Sequence, residues 1–189
     1  MASIRAGQRS ALLVVDVQVG VVARAWDSER IVGNVARAVD RARAASVPVI
    51  WVQHSGDELP VGSPAWQWAP GLAPAAREVR IDKRHNSSFE QTPLEHELAR
   101  AGITHLVLAG ASTNWCIRAT AYAALERGYD LTLLADAHTT ETLELEGGRS
   151  IEASVVIEDL NLTMRWLDYP GRRNSVATAE AVDFGVVDP

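Results

Sequence analysis

Three residues of this sequence carry side chains that together could activate a nucleophile and move its proton. Cys116 stands in the first turn of a predicted helix, after a predicted strand and the turn at 110–113. A nearby cation and a helix N-terminus lower the pKa of a thiol, and free N–H groups there can stabilise an oxyanion. Asp16 follows another predicted strand and could remove the thiol proton, and Lys83 follows a third and could be the cation. This combination predicts a cysteine nucleophile.

Each of these residues also has an ordinary structural interpretation, and the residue types alone do not exclude these alternatives. A lone cysteine is as often a small buried apolar residue, Asp16 could cap a turn, and Lys83 could be solvated. An activated Cys116 could also be a redox sensor, which would need an intermolecular partner because the chain has a single cysteine. The turn at 110–113 could bind a phosphate, but it lacks the P-loop pattern.

The elements that must position these side chains are predicted from hydrophobic patterning. Apolar runs rich in β-branched residues alternate with helical patterns, which predicts βαβ units and a three-layer α/β/α, Rossmann-like fold with a mostly parallel open sheet. Ligands bind such sheets outside the carboxyl ends of the strands, so Asp16, Lys83 and Cys116 should converge there. The predicted strands are 11–15, 47–52, 78–81, 105–110 and 131–135, and the predicted helices are 31–45, 92–102, 114–127 and 149–159.

Composition bounds the class of protein. With 189 residues, 47% of them hydrophobic and 22% charged, the chain can bury a sizeable core, and we predict one domain over 1–189. Its core should span about 10–169, with a final strand or tail at 170–189. The net charge of -6 argues against a general nucleic-acid binder. No stretch resembles a signal peptide or a membrane span, so we expect a cytoplasmic protein.

The chemistry-bearing residues belong to an ordered set of motifs that resembles the isochorismatase-like cysteine hydrolase family. The resemblance implies Cys116 as nucleophile, Asp16 as carrier of its proton and Lys83 as the charge that holds both in register. It also implies a cis peptide bond between Ala111 and Ser112, with the N–H groups of Ser112 and Cys116 forming an oxyanion hole. Over about 10–169 the motifs are Leu13-Val14-Val15-Asp16-Val17-Gln18, Lys83 with Ser87-Ser88-Phe89 and Thr92-Pro93-Leu94, Gly110-Ala111-Ser112-Thr113-Asn114-Trp115-Cys116, Gly128-Tyr129-Asp130 and Asp136-Ala137.

Two departures indicate the metal-free branch of this family. Nicotinamidases carry an Asp-x-His metal motif where this chain has Gln53-His54-Ser55-Gly56-Asp57, so we expect no metal and no cofactor. Isochorismatases themselves hydrolyse a vinyl ether and lack the cysteine, so Cys116 argues against that reaction. The metal-free branch includes carbamoyl-amine and ureidoacrylate amidohydrolases and hydrolases that open a lactam such as that of streptothricin. The segments at 52–54 and 136–140 look most like the last kind.

The resemblance thus implies cleavage of a C–N bond in a small amide, carbamoyl or lactam substrate through a thioester acyl-enzyme. The alternative is an inactive small-molecule-binding or redox-sensing protein on the same fold. A homodimer or homotetramer is expected, with no nucleic-acid or membrane partner. Trp66, or Trp68 on the same loop, could instead cap the hydrophobic core, an interpretation slightly favoured for Trp66, and His138 could equally lie in a solvated loop. The predicted substrate-binding residues are Gln18, His54, Trp66, Phe89, Trp115 and His138.

Overall fold

A computed structural model describes residues 5–184, and its centre is a six-stranded sheet with the strand order β3-β2-β1-β4-β5-β8. Every neighbouring pair in this sheet is parallel. The predicted α/β fold with a mostly parallel sheet is therefore confirmed. In chain order the elements are β1 (Arg9–Val15), α1 (Val19–Val22), α2 (Ser28–Ala44), β2 (Val49–His54), β3 (Val79–Lys83), α3 (Leu94–Arg100), β4 (Ile103–Ala111), a π-helical turn (Thr113–Ile117), α4 (Arg118–Glu126), β5 (Asp130–Thr139), β6 (Leu143–Glu144), a 3₁₀ turn (Glu146–Gly148), β7 (Ser150–Ile151), α5 (Ala153–Trp166) and β8 (Asn174–Ala177).

Helices cover both faces of the sheet, which explains why the central strands read as unbroken apolar runs. Leu12 and Val14 of β1 pack with α2 on one face, whereas Leu13 and Val15 pack with α3, α4 and α5 on the other. All four side chains are fully buried. No helix within residues 5–184 is long and apolar enough to cross a membrane.

The structure differs from the predicted elements after β5. Helix α5 begins at Ala153 rather than at 149, because the preceding residues form the β6–β7 hairpin. Gly147 and Gly148 in its turn have φ of 76° and 74°, a conformation that glycine adopts at little cost. The predicted final strand or tail contains β8, which pairs with β5. Residues 185–189 of that segment lie outside the described range.

Gly110 allows β1 and β4 to approach closely just before the chain leaves the sheet. Its φ is 135°, and a Cβ atom at this position would lie 1.9 Å from the carbonyl oxygen of Val15. That distance is far below van der Waals contact, and the clashing atom is backbone that cannot rotate away. Asp16 and the turn before Cys116 directly follow these two residues, so the close approach also sets the spacing of the two segments.

Gly110→Ala is therefore expected to destabilise the fold by more than about 2 kcal/mol, because the two strands must separate and the backbone must leave its φ. The free energy of unfolding from urea titration followed by circular dichroism measures this. Gly33→Ala is the matched control: Gly33 lies in α2, where a Cβ atom meets nothing within 4 Å. Alanine should stabilise that helix by up to about 1 kcal/mol. Equal free energies of unfolding for the two variants would contradict the steric explanation.

Candidate active site

The three residues predicted to be catalytic meet at the carboxyl edge of the sheet. Asp16 directly follows β1, and its φ of 53° turns the chain sharply out of the strand. Lys83 is the last residue of β3, which is separated from β1 by β2, so its long side chain crosses the end of β2. Cys116 lies in the π-helical turn that follows β4. The parallel register thus brings together residues that are up to 100 positions apart in sequence (116 less 16).

The ammonium group of Lys83 joins the other two residues. Its Nζ atom lies 2.6 Å from Oδ2 of Asp16 and 3.2 Å from Sγ of Cys116. It also lies 3.1 Å from the carbonyl oxygen of His85 and 3.2 Å from Nδ1 of His54. The side chains of Lys83 and Asp16 are buried, so water does not screen their charges as it does at the surface.

Lys83 has four neighbours that could accept a hydrogen bond and only three N–H hydrogens. Burial and the charge of Lys83 lower the pKa of His54, so its neutral ring can accept at Nδ1. Because Asp16 and the His85 carbonyl oxygen are closer to Nζ, His54 and Cys116 compete for the third hydrogen. A thiolate is the stronger acceptor, so ionisation of Cys116 would draw that hydrogen away from His54.

The resting thiol is not acidified, contrary to the expectation from its cation and its helix. Burial, followed by the negative charge of Asp16, raises the pKa of Cys116 to about 12, despite the opposing effect of Lys83. Burial likewise raises the pKa of Asp16 more than Lys83 lowers it. The sequence shows the cation and the turn, but it does not show the burial that outweighs them.

Raised pKa values on both groups have a common consequence for the pair. Each group holds its proton more strongly than usual, and because the two side chains interact they titrate as a coupled pair between which a proton can pass. Oδ1 of Asp16 accepts no hydrogen bond of ordinary geometry from the residues at 5–184, so it is available to take the thiol proton. The thiolate can then form by internal transfer, without release of a proton to solvent.

The turn that carries Cys116 is tightly wound. The peptide bond between Ala111 and Ser112 is cis. The carbonyl oxygen of Ser112 accepts hydrogen bonds from the N–H groups of Trp115 and Ile117, both at 3.1 Å. The second of these bonds spans five residues, which defines the π-helical turn, a feature often found at functional sites. The oxyanion hole formed by the N–H groups of Ser112 and Cys116 stays a prediction.

Gln18 is buried beneath the site and binds the backbone of His54 and Trp66 instead of lining the cleft. Its prediction as a substrate contact is therefore wrong. Its side chain is fully buried. The amide accepts from the N–H of His54 at 2.8 Å and donates to the carbonyl oxygens of His54 and Trp66, each at 3.0 Å. Gln53 donates to the same Trp66 oxygen at 2.6 Å. These bonds attach the long 55–78 loop to the ends of β1 and β2.

Phe89 was also predicted to contact substrate, and the structure places it in the core instead. Its side chain is only 6% exposed and packs against Tyr129, with 5.8 Å between the ring centroids. The guanidinium of Arg127 lies over the Phe89 ring at 5.0 Å. Proximity to Lys83 in sequence could not show that this ring turns inward.

His138 is neither a substrate contact nor a solvated loop residue. It is fully buried near the end of β5. Its Nδ1 lies 2.9 Å from the hydroxyl of Thr113, and its Nε2 lies 3.0 Å from Oδ1 of Asn161. Its ring therefore has no free polar atom for a ligand. No motif in the sequence connected Asn161 with this region.

Two tryptophans remain candidates for the wall of the cleft. Trp115 precedes Cys116 and is 54% exposed. Trp66 is half-buried, and its indole N–H is buried without an acceptor among the described residues. Within residues 5–184, His54 and Asp57 are not part of any group of three or more His, Cys, Asp or Glu side chains placed to hold a metal ion.

Comparison with known proteins identifies a matching family and relatives in sequence. The family model described as "Isochorismatase domain" matches residues 10–149. Streptothricin hydrolase from Streptomyces noursei is 36% identical over 147 residues, which cover 74% of this chain and 58% of that protein. Ureidoacrylate amidohydrolase RutB from Methylobacterium radiotolerans is 31% identical over 139 residues, covering 57% of this chain and 54% of the relative. The chain thus spans little more than half the length of these relatives.

The solved structures agree on the fold over nearly the whole chain. The crystal structure of an isochorismatase from Pseudomonas putida KT2440 has a TM-score of 0.82 and 27% identity, and the match covers 95% of this chain and 93% of that one. A cysteine hydrolase from Pseudomonas syringae pv. phaseolicola 1448A has a TM-score of 0.80 at 23% identity, covering 95% and 96% of the two chains. The second likeness concerns the fold alone.

Proposed function

The chain belongs to the isochorismatase family, and from this premise we propose that it is a cysteine hydrolase that cleaves a C–N bond of a small amide, carbamoyl or lactam substrate. The observation that carries the proposal is the position of Lys83, whose Nζ contacts Oδ2 of Asp16 at 2.6 Å and Sγ of Cys116 at 3.2 Å. A buried base, cation and thiol in mutual contact have the geometry of an activated nucleophile. The relatives named as a streptothricin hydrolase and an amidohydrolase support the choice of bond.

Acylation begins with transfer of the Cys116 proton to Asp16. The thiolate, stabilised by Lys83, attacks the substrate carbonyl carbon and forms a C–S bond. The oxygen that becomes negative is stabilised by the N–H groups of Ser112 and Cys116. Collapse of this intermediate breaks the C–N bond, and Asp16 returns its proton to the leaving nitrogen. With an open-chain substrate this half-reaction releases an amine or ammonia and leaves a thioester or thiocarbamate on Cys116. With a lactam the new amine stays attached to the acyl group of the thioester.

Deacylation repeats the same proton movements with water. Asp16 takes a proton from a water molecule as its oxygen attacks the thioester carbonyl. Collapse of the second intermediate breaks the C–S bond and releases a carboxylic or carbamic acid. The proton on Asp16 returns to the sulfur of Cys116. Asp16 thus acts as base and acid in turn, which a carboxylate with a raised pKa can do near neutrality.

The remaining expectations belong to the same proposal. The residues at 5–184 offer no cluster of ligands for a metal, so the reaction should run without one. Trp115 and Trp66 are proposed to contact the substrate, and His54 is proposed to contact both Lys83 and the substrate. The expected homodimer or homotetramer stays a prediction, which size-exclusion chromatography with light scattering would test.

A substrate panel tests the proposal directly. The purified protein is incubated with N-carbamoyl amines, ureido acids and lactams, and mass spectrometry follows release of the amine or acid. We expect at least one class to be hydrolysed, at the same rate before and after dialysis against a chelator. A rate that falls on chelation would contradict metal independence. No turnover, together with a Cys116 that alkylating reagents do not reach in the folded protein, would instead favour the inactive binding protein.

A further inference from the structure

A buried hydrogen-bond network on the far side of the nucleophile turn has no role in the steps above. Its centre is His138, which joins three separate elements: β5, helix α5 through Asn161, and the π-helical turn through Thr113. His138, Thr113 and Asn161 are all buried, with at most 3% of each side chain exposed. A buried polar network of this kind is rigid when every member is satisfied.

The direction of each hydrogen bond follows from one end of the network. The side-chain Nδ2 of Asn161 donates to the carbonyl oxygen of Ala135 at 3.2 Å, so its Oδ1 faces His138 as an acceptor. His138 must then carry its proton on Nε2 in order to donate to that oxygen. Its Nδ1 is left with a lone pair, and the hydroxyl of Thr113 donates to it at 2.9 Å. The tautomer of His138 is thereby fixed by Asn161.

His138 can hold this state over the pH range in which most enzymes work. Burial lowers the pKa of His138 to about 4, although Asn161 and the charge of Asp136 oppose the shift. At neutral pH the ring is therefore uncharged and Nδ1 remains an acceptor. Protonation would replace that acceptor with a second N–H donor directed at the Thr113 hydroxyl.

Thr113 is the first residue of the π-helical turn and stands three positions before the nucleophile. The next residue, Asn114, is held from the same strand end, because the hydroxyl of Thr140 donates to its Oδ1 at 2.6 Å. The end of β5 therefore fixes the start of the turn through two consecutive side chains. The position of Cys116 relative to Lys83 depends on where this turn begins.

We propose that His138 is a positioning residue, which holds Thr113 so that the turn places Cys116 against Lys83 and directs its N–H groups toward the substrate. This inference rests on the proposed role of Cys116 as nucleophile. It assigns His138 an effect on the reaction although its ring touches neither substrate nor the reacting atoms. A displacement of the order of 1 Å in such a group can cost about 100-fold in rate.

Two pairs of matched variants test the proposal. Thr113→Val keeps the shape of the side chain and removes the hydroxyl, whereas Thr113→Ser keeps the hydroxyl. In His138→Asn, the side-chain oxygen lies two bonds from Cβ, as Nδ1 of the histidine does, so it can still accept from Thr113. This variant loses the N–H that donates to Asn161. In His138→Gln, the side-chain amide nitrogen lies three bonds from Cβ, as Nε2 of the histidine does, so it can still donate to Asn161. This variant loses the atom that accepts from Thr113. Within each pair, one variant keeps the hydrogen bond between Thr113 and residue 138 and the other loses it. The comparison therefore distinguishes the loss of this hydrogen bond from a general change in packing.

The probe is iodoacetamide, because Cys116 is the sole cysteine and intact mass then reports a single site. We expect the labelling rate of the folded protein to fall about tenfold or more in Thr113→Val and in His138→Gln. Thr113→Ser should stay within about threefold of the wild type, and His138→Asn should label faster than His138→Gln. The melting temperature of each variant is measured alongside, since a purely structural role would lower it without changing labelling below the transition.

Labelling of Thr113→Val at or above the wild-type rate, or equal rates for His138→Asn and His138→Gln, would overturn the positioning role. Failure of the proposed function gives a different result: wild-type Cys116 would then remain unlabelled in the folded protein. If a panel substrate is found, Thr113→Val should lower kcat with KM changed less than about threefold, because the defect lies in the reacting groups.

Discussion

Replacement of Cys116 by serine is expected to lower kcat/KM by at least about 10⁴-fold on any substrate that the wild type hydrolyses. Serine has nearly the same shape as cysteine, so the fold and the contacts of the turn should persist. Its hydroxyl is far less acidic and less nucleophilic than a thiol, and Asp16 cannot ionise it. The measurement is kcat/KM from product formation by mass spectrometry, together with the melting temperature of the variant.

The same variant separates the reaction from simple binding. Where acylation limits turnover, so that KM approximates the dissociation constant, substrate affinity measured by calorimetry on Cys116→Ser should stay within about threefold of the wild-type KM, because the lost atom acts in the chemical step. A serine variant that keeps a tenth or more of the wild-type activity would mean that the nucleophile is another group. The account of Lys83 and Asp16 as partners of this thiol would then fail.

Asp16→Asn is expected to lower kcat by about 10² to 10⁴-fold, the range that a general base contributes. An asparagine has the same shape but takes no proton from the thiol and gives none to the leaving nitrogen. KM should change much less than kcat, because the carboxylate acts on protons rather than on bound substrate. Steady-state kinetics on the best panel substrate measures both parameters.

Asp130→Asn is the matched control for this substitution. Asp130 is also a buried carboxylate, 5% exposed, but it begins β5 at the opposite edge of the sheet. Its Oδ1 accepts the N–H of Arg173 at 2.7 Å, at the amino end of the strand rather than at the carboxyl end of the sheet where Asp16 lies. Activity should be retained in this variant even if its stability falls. Similar losses of kcat in both variants would indicate that neutralising any buried carboxylate disturbs the fold.

The fold and the meeting of Asp16, Lys83 and Cys116 could be predicted from sequence because both depend on patterns that a single chain displays, whereas the roles of the three residues were implied by the family resemblance. Leu12 to Val15 form an unbroken apolar run followed by Asp16, as expected of a strand buried on both faces. Once the strands are parallel, their carboxyl ends share one edge, so Asp16, Lys83 and Cys116 must converge without any knowledge of contacts.

The predictions that failed depended on side-chain direction, which residue type and spacing leave open. Gln18 and Phe89 lie near Asp16 and Lys83 in sequence, and His138 follows the Asp136-Ala137 motif. Each of the three side chains could have pointed into the cleft or away from it. Gln18 and His138 turn inward because backbone carbonyls and Asn161 offer them hydrogen bonds. Phe89 turns inward because Tyr129 offers apolar contact. Asn161 itself lies on α5, far along the chain.

The pKa of Asp16 indicates that the site is retained at some cost to stability. For a carboxyl whose pKa is raised on folding, the folded protein binds the proton more tightly than the unfolded chain does. Its stabilising contribution is present at low pH and is lost as pH rises from its ordinary value of 3.8 through the folded value. A buried carboxylate that destabilises the fold near neutrality is typical of functional sites.

The rate of Cys116 alkylation against pH tests the central claim most directly, because it needs no substrate and reports one thiol. Wild type and Asp16→Asn are labelled with iodoacetamide from about pH 5 to 10, a range that includes the ordinary thiol pKa of about 8.5 and ends below the raised pKa of about 12 of Cys116. If Asp16 and Cys116 share one proton, the wild-type rate should be nearly constant across neutral pH, since the thiolate forms by internal transfer. In Asp16→Asn the negative charge that raises the pKa of Cys116 is gone, so the pKa of the thiol falls. The labelling rate of this variant should then rise about tenfold for each pH unit, until the pH reaches the lowered pKa of Cys116. Identical profiles for the two proteins, or a thiol that reacts only after denaturation, would contradict the account.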